Sequence, residues 1–320
     1  MTVVTAVRLG RLGDLVMTLP ALRWLADAAD LQVVTGPAYG SWLQAALPAA
    51  RVVADVEDLA PANAVLDLHG VAASRRVLRR IPRAAGCVRV RTNKEGMRRR
   101  LLLAGVHALP PRWTWPERHL LAAARLAEQI GLADRPPQRA LPSLTASGPV
   151  RPGALGLVPG AGWATKRWPV AHFGALAARW RQEVGGPVLV FGSADESELV
   201  RAVLAASEGA ASAWSEPAEP LTGLQDGLGQ CEVVVAGDTG PLHVAGALGR
   251  PTVALFGPTP RDSGFAFWPD AVLLGGASCS PCSMHGTDSC RHGHHRCLGD
   301  VGPEAVLGAA LRLRAPGAAA

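Results

Sequence analysis

The sequence predicts an α/β protein built from two doubly wound parallel sheets. Three observations carry that prediction. Short apolar, β-branched runs alternate with helix-periodic stretches from residue 2 to residue 133, and such alternation means a parallel sheet with helices on both faces. A proline-rich stretch without periodicity then interrupts the pattern at 134–152, which reads as a linker. The alternation restarts at residue 154. At 320 residues the chain suits two domains, 1–150 and 151–320, each able to bury a core.

The elements follow in order. Residues 2–7 are apolar and β-branched, a first strand, and 14–28 carry helical periodicity. Strands are expected at 31–35, 51–54, 64–68 and near 84–88, and helices near 96–107 and 117–130. In the second half, strands are expected at 154–158, 187–191, 211–214, 232–236 and 251–256. Helices alternate with them at 170–183, 195–207 and 221–230, then after residue 237, and a last one lies near 303–313. Two doubly wound halves imply a cleft where strand ends converge.

Composition narrows the function classes. Hydrophobic residues make up 48% and charged residues 18%, which describes a globular chain and excludes disorder. No apolar run is long enough to span a bilayer. Arg8, Arg11 and Asp14 interrupt the apolar N-terminus, which argues for a strand, loop and helix rather than a leader, and for a cytoplasmic protein. The net charge is +6, and the basic excess sits in residues 1–150. An anionic partner fits that half: phosphorylated lipid, a membrane surface or nucleic acid. Arg75, Arg76, Arg79 and Arg80 have helical spacing and can form one basic face. Lys94 and Lys166 are the only lysines among 32 Lys+Arg residues. A compact ammonium suits a single phosphate oxygen where a guanidinium fork does not fit.

Four constellations stand at strand ends. GDTGPLHVAGALGRPTVALFGPT spans residues 237–259. It puts Asp238, Thr239 and Gly240 between a strand and a helix N-terminus, where anions bind. The simpler reading is a strand-to-helix turn capped by Asp238 or Thr239. RLGRLGD, residues 8–14, follows the first strand. Its Gly-x-x-Gly turn lacks the dinucleotide fingerprint. Asp14 is there either a helix cap or a general base. PGAGWATKRWP, residues 159–169, offers small residues and Lys166 to a phosphate without P-loop spacing. Trp168-Pro169 is expected to start and staple the next helix. In GSADE, residues 192–196, Glu196 either accepts from a ribose or favours the helix dipole.

With VRLGRLGDLVMTLPAL, PGAGWATKRWP, FGSADE and GDTGPLHVAGALGRPTVALFGPTPR in this order, the chain resembles glycosyltransferase family 9, the ADP-heptose:lipopolysaccharide heptosyltransferases. The resemblance implies a GT-B architecture, two Rossmann-like domains facing a cleft, the donor on the C-terminal one and the acceptor on the N-terminal one. It implies a metal-independent, inverting transfer of a heptose from an ADP-sugar to a lipopolysaccharide core, with no cofactor. Asp14 matches the family's base. Lys166 matches the lysine on the donor diphosphate, and Glu196 an acidic residue near the ribose. Asp238, Thr239 and Gly240 match the diphosphate turn, and His243 the histidine one helical turn later. Ala161 and Gly162 stand where the family often has hydroxyls, so contacts there fall to backbone N–H groups. Arg8, Arg11, Lys94, Arg98, Arg99 and His119 are candidate contacts to the anionic acceptor. The implied partners are the nucleotide sugar, the lipopolysaccharide core and the inner face of the inner membrane, but no nucleic acid. Two alternatives stay open: another nucleotide-sugar donor on the same fold, and a polyanion-binding module that needs neither Asp14 nor Lys166.

Cys279, Cys282, Cys290 and Cys297, with His285, His292, His294 and His295, form a dense cluster. Structural metal, reduced thiols packing a loop, and disulfides are all compatible with this spacing. Cys87 and Cys231 read as buried small residues.

Overall fold

The computed structural model describes residues 2–93, 95–103, 113–215, 219–261 and 264–314, apart from the side chain of Arg99. The chain divides into two compact units. One comprises Met1–Glu95 and Arg112–Ser143, the other Gly96–Pro111 and Leu144–Ala320. The change from one unit to the other at residue 144 falls within the proline-rich stretch.

The first unit contains β1 (Val3–Val7), α1 (Leu12–Ala28), β2 (Asp30–Val34), α2 (Gly40–Ala46), β3 (Arg51–Val53), β4 (Ala62–Asp67), α3 (Ala72–Arg80) and β5 (Arg83–Arg91). Next in sequence come α4 (Gly96–Leu103), assigned to the second unit, and α5 (Trp115–Ile130), in the first. The five strands pair in parallel in the order β3-β2-β1-β4-β5. Central strands read as continuous apolar runs because both faces are covered. Val4, Ala6, Leu31, Val33, Ala64 and Leu66 are accordingly buried. β5 is an edge, and its exposed Arg83, Arg89 and Arg91 blunt it against pairing with another chain. On α3, Arg75, Arg76, Arg79 and Arg80 are all exposed, so the helix does present a basic face.

The second unit contains β6 (Leu155–Val158), α6 (Val170–Glu183), β7 (Val188–Val190), α7 (Ser197–Ala206), β8 (Ser212–Ala213), α8 (Pro220–Gly229) and β9 (Val233–Gly237). It continues with α9 (Gly240–Ala247), β10 (Thr252–Leu255), β11 (Ala271–Leu274), α10 (Arg296–Gly299) and α11 (Pro303–Arg314). Its six parallel strands run β11-β10-β9-β6-β7-β8. Leu155, Val233, Val253, Phe173, Trp180 and Val306 pack one side of this sheet. Trp168 staples α6 as expected. Its indole donates to the Val301 carbonyl at 2.8 Å and packs edge-on to Phe173.

Short elements were not legible, among them α2, β11 and the four-residue α10. α2 is seven residues long, below the length at which periodicity registers. β11 is a half-buried edge strand of four residues. The helix expected over 96–107 is described only as far as Leu103.

Candidate functional site

The second unit gathers its candidates around the β9–α9 turn. β9 is buried throughout and ends at Gly237, so the next side chains emerge at the C-terminal edge of the sheet. Asp238 does not cap α9. Its carboxylate instead meets the Lys166 ammonium at 2.8 Å and accepts from the Thr259 hydroxyl at 2.9 Å. Thr239 is the N-cap residue, yet its hydroxyl turns back to the Gly237 carbonyl at 3.3 Å. Side chains therefore leave the first N–H groups of α9 uncapped, which keeps a positive helix end beside the lysine.

Burial alone pushes the Asp238 carboxyl up. The Lys166 charge and hydrogen bond and the Thr259 hydroxyl outweigh it and hold the group below the usual carboxylate range. Lys166 is thereby kept beside a fixed anion. A lysine has three donors, so it can hold Asp238 and still reach a second oxygen.

His243 is buried one turn into α9. The Trp268 indole N–H donates to its Nδ1 at 3.2 Å. A ring that accepts at Nδ1 carries its proton on Nε2, so Trp268 sets the tautomer. Trp268 lies in no motif that the sequence displays. Thr259, by contrast, lies inside the quoted motif.

Glu196 stands at a helix start, the simpler of its two readings. It closes a capping box with Ser193, accepting the Ser193 N–H at 3.0 Å. Its carboxylate also covers Gly160, where an added Cβ would lie 2.1 Å from Oε1. Only glycine lets the loop and the carboxylate approach this closely. Arg167 closes the same loop, donating from Nε and Nη2 to the Ala161 carbonyl at 3.1 and 2.9 Å.

In the first unit, Asp14 is an acidic residue of the first turn of α1, which starts at Leu12 with Arg11 as its N-cap residue. No side-chain cap hydrogen bond is made at Arg11, and Asp14 lies past the cap position. It pairs with Arg8, whose side chain is 5% exposed against 24% for Asp14. Burial lowers the Arg8 pKa, and the charges of Asp14 and Asp67 oppose that shift. Arg8 also donates to the Leu68 carbonyl at 2.8 Å. The Leu9 N–H donates to His69 Nδ1 at 3.1 Å, which brings an imidazole to this edge. His69 stands one residue past the strand expected at 64–68, outside every motif.

The acceptor candidates that the structure describes differ in exposure. Arg11 is exposed, Arg98 half-buried and Arg8 buried against Asp14. His119 is 1% exposed, 3.2 Å from the Thr92 hydroxyl and packed on Trp115, so the structure gives it a packing role. Lys94 and the Arg99 side chain lie outside the described residues.

All six cysteines are free thiols. Cys279, Cys282, Cys290 and Cys297 border a cavity of about 370 Å³ that Thr165 also lines. Among the described residues, no group of three His, Cys, Asp or Glu is arranged to hold a metal ion. Cys231 is the buried small residue expected, with its thiol pushed up to about 12 by burial. Cys87 is only half-buried. No helix of the described residues is long and apolar enough to cross a membrane.

Solved structures share this fold. The structure of E. coli ADP-heptose lps heptosyltransferase II superposes with a TM-score of 0.70 at 24% identity, covering 98% of each chain. E. coli heptosyltransferase WaaC with ADP-2-deoxy-2-fluoro heptose gives 0.69 at 17% identity, covering 95% of this chain and 98% of that one. Two Rossmann-like domains of this kind define the GT-B class. Within that class, the chain belongs to glycosyltransferase family 9 (heptosyltransferase), whose model matches residues 120–288.

Curated relatives agree. The chain is 33% identical over 159 residues to lipopolysaccharide heptosyltransferase 2 of Escherichia coli, spanning 48% of this chain and 44% of the relative. It is 39% identical over 134 residues to lipopolysaccharide heptosyltransferase 1 of Pseudomonas aeruginosa, spanning 41% and 37%. The matched segments thus span less than half the length of these relatives.

Proposed function

We propose that this chain transfers a heptose from an ADP-sugar to a lipopolysaccharide-core acceptor, with inversion and without a metal. One observation carries the reading: Lys166 is held on Asp238 beside the uncapped N-terminus of α9. Such a turn suits the charge that grows on a departing diphosphate. His243, accepting at Nδ1 from Trp268, presents its Nε2–H on the same helix. Glu196, against the Gly160 loop, is assigned to the ribose.

Asp14 on the first unit is the proposed base. The acceptor hydroxyl oxygen bonds to the anomeric carbon, and its proton passes to the Asp14 carboxylate. The bond from that carbon to the phosphate oxygen breaks, and its electron pair leaves on ADP. Arg8 holds the carboxylate. Arg11, Lys94, Arg98 and Arg99 are assigned to the anionic acceptor. The exposed arginines of α3 suit an anionic surface such as the inner face of the inner membrane.

The test is incubation with ADP-heptose, other nucleotide sugars and truncated core acceptors, with products read by mass. Release of ADP with a heptose-mass gain on the acceptor is the expected result. Transfer from another nucleotide sugar alone moves the donor assignment. Neither transfer nor hydrolysis from any donor, with salt-sensitive polyanion binding, favours the binding-module reading carried by α3.

A further inference from the structure

The Cys/His-rich segment 279–297 is the motif that the transfer chemistry leaves unused. It is bonded to the turn that carries Lys166. Thr165 donates its backbone N–H to the Thr287 carbonyl at 3.1 Å and its hydroxyl to the same oxygen at 2.8 Å. The Thr287 N–H returns to the Thr165 hydroxyl oxygen at 2.8 Å. His295 Nε2 lies 2.8 Å from the Thr165 carbonyl oxygen. A carbonyl only accepts, so the ring carries a proton on Nε2.

The segment is shaped for this contact. Gly286, at φ +97, lies against the lysine turn. A Cβ there would sit 2.7 Å from Trp163 Cβ and 3.0 Å from Lys166 Cγ. His295 itself is left-handed, at φ +48. That conformation is unfavourable for a residue with a Cβ and persists where surrounding contacts fix it. The Gly293 N–H donates to the Cys290 carbonyl at 2.9 Å, which closes the turn at this end.

We propose that His295 is a positioning residue for Lys166. Its Nε2–H bond to the Thr165 carbonyl, with the reciprocal Thr165–Thr287 bonds, holds the lysine turn in the conformation that meets a donor phosphate. The inference rests on the donor reading of Lys166 given above. A lysine stem is rich in rotamers, so fixing the backbone beneath it favours binding by preorganisation. The histidine acts through the turn and needs no contact with the nucleotide.

A double-mutant cycle on the full chain tests this, read by calorimetric ADP binding and by donor KM against kcat. Lys166→Ala is expected to weaken ADP binding. Unchanged binding in that variant sinks the donor reading of Lys166 and this inference with it. His295→Gly accepts φ +48 without strain and removes the donor. It is expected to raise the Kd for ADP about three- to tenfold, the effect of one lost hydrogen bond. The change should appear in donor KM more than in kcat, and should vanish in the Lys166→Ala background. His295→Asn tolerates the left-handed backbone and keeps an N–H donor, so it should recover part of the loss. It also carries the test should the glycine variant fail to fold. Equal losses with and without Lys166 overturn the inference while leaving the donor reading intact. So does wild-type affinity in His295→Gly when Lys166→Ala is impaired.

Discussion

Each unit places an acid–base pair at a strand-to-helix junction, and the two pairs are built in opposite senses. In the first unit the cation is the buried member: Arg8 is 5% exposed and also bonded to the Leu68 carbonyl, whereas Asp14 is 24% exposed. In the second unit the carboxylate is the fixed member. Asp238 is 12% exposed, held by Lys166 and Thr259, and kept below the usual carboxylate range. An arginine fork bonded on two sides is a rigid support, and an ammonium with spare donors is a reagent. The difference leaves one member of each pair available for the chemistry proposed above: the carboxylate in the first, the lysine in the second.

The comparison breaks most visibly at Asp14. Asp14→Asn keeps the shape and removes the base, so turnover should fall by about two to four orders of magnitude. ADP affinity should stay within about twofold, a small free-energy change. Steady-state rates beside calorimetric ADP binding check both, and normal turnover would put Asp14 in the same supporting class as Asp238. Lys166→Met comes next. Losing a preorganised cation at the leaving group should lower kcat by about a hundredfold or more, with weaker ADP binding. It also leaves Asp238 without its charge partner, at about 3 kcal/mol of stability, readable by urea unfolding.

The acid limb of stability sharpens the contrast further. A depressed folded pKa stabilises above the unfolded value and is lost as pH falls through the folded one. The Asp238 contribution should therefore be complete near neutrality and disappear only below the ordinary carboxylate range. Asp238→Asn should flatten the pH dependence of unfolding in that acid window, and an unaltered acid limb would remove the fixed role given to this carboxylate. The smallest effect is expected for Trp268→Phe. It deletes the donor to His243 Nδ1, at a cost of about 1 kcal/mol. Ring ¹⁵N shifts should show His243 changing from one tautomer to a mixture, and an unchanged spectrum would deny Trp268 that role.

Much of the fold was legible because buried parallel strands announce themselves. β1, β4, β6, β9 and β10 are apolar runs bounded by glycine or polar turns. β11 and α2 were missed because short or half-buried elements carry little pattern. The strand-end position of Lys166 and Asp238 was equally legible. Their pairing was not, since residues 72 positions apart in sequence meet only when β6 and β9 lie side by side.

The sequence by itself determined the alternation of strands and helices, the proline-rich break, and the placing of Asp14, Lys166, Glu196 and Asp238 at strand ends. Those follow from local periodicity and turn chemistry. Only the tertiary structure decided what each side chain does there. It turned Asp238 from a cap into an anchor for lysine, put His119 into packing, gave His243 its tautomer through Trp268, and laid the Cys/His segment on the lysine turn. The physical reason is that a hydrogen bond or ion pair depends on distance and burial, and neither is written in the spacing of one chain segment.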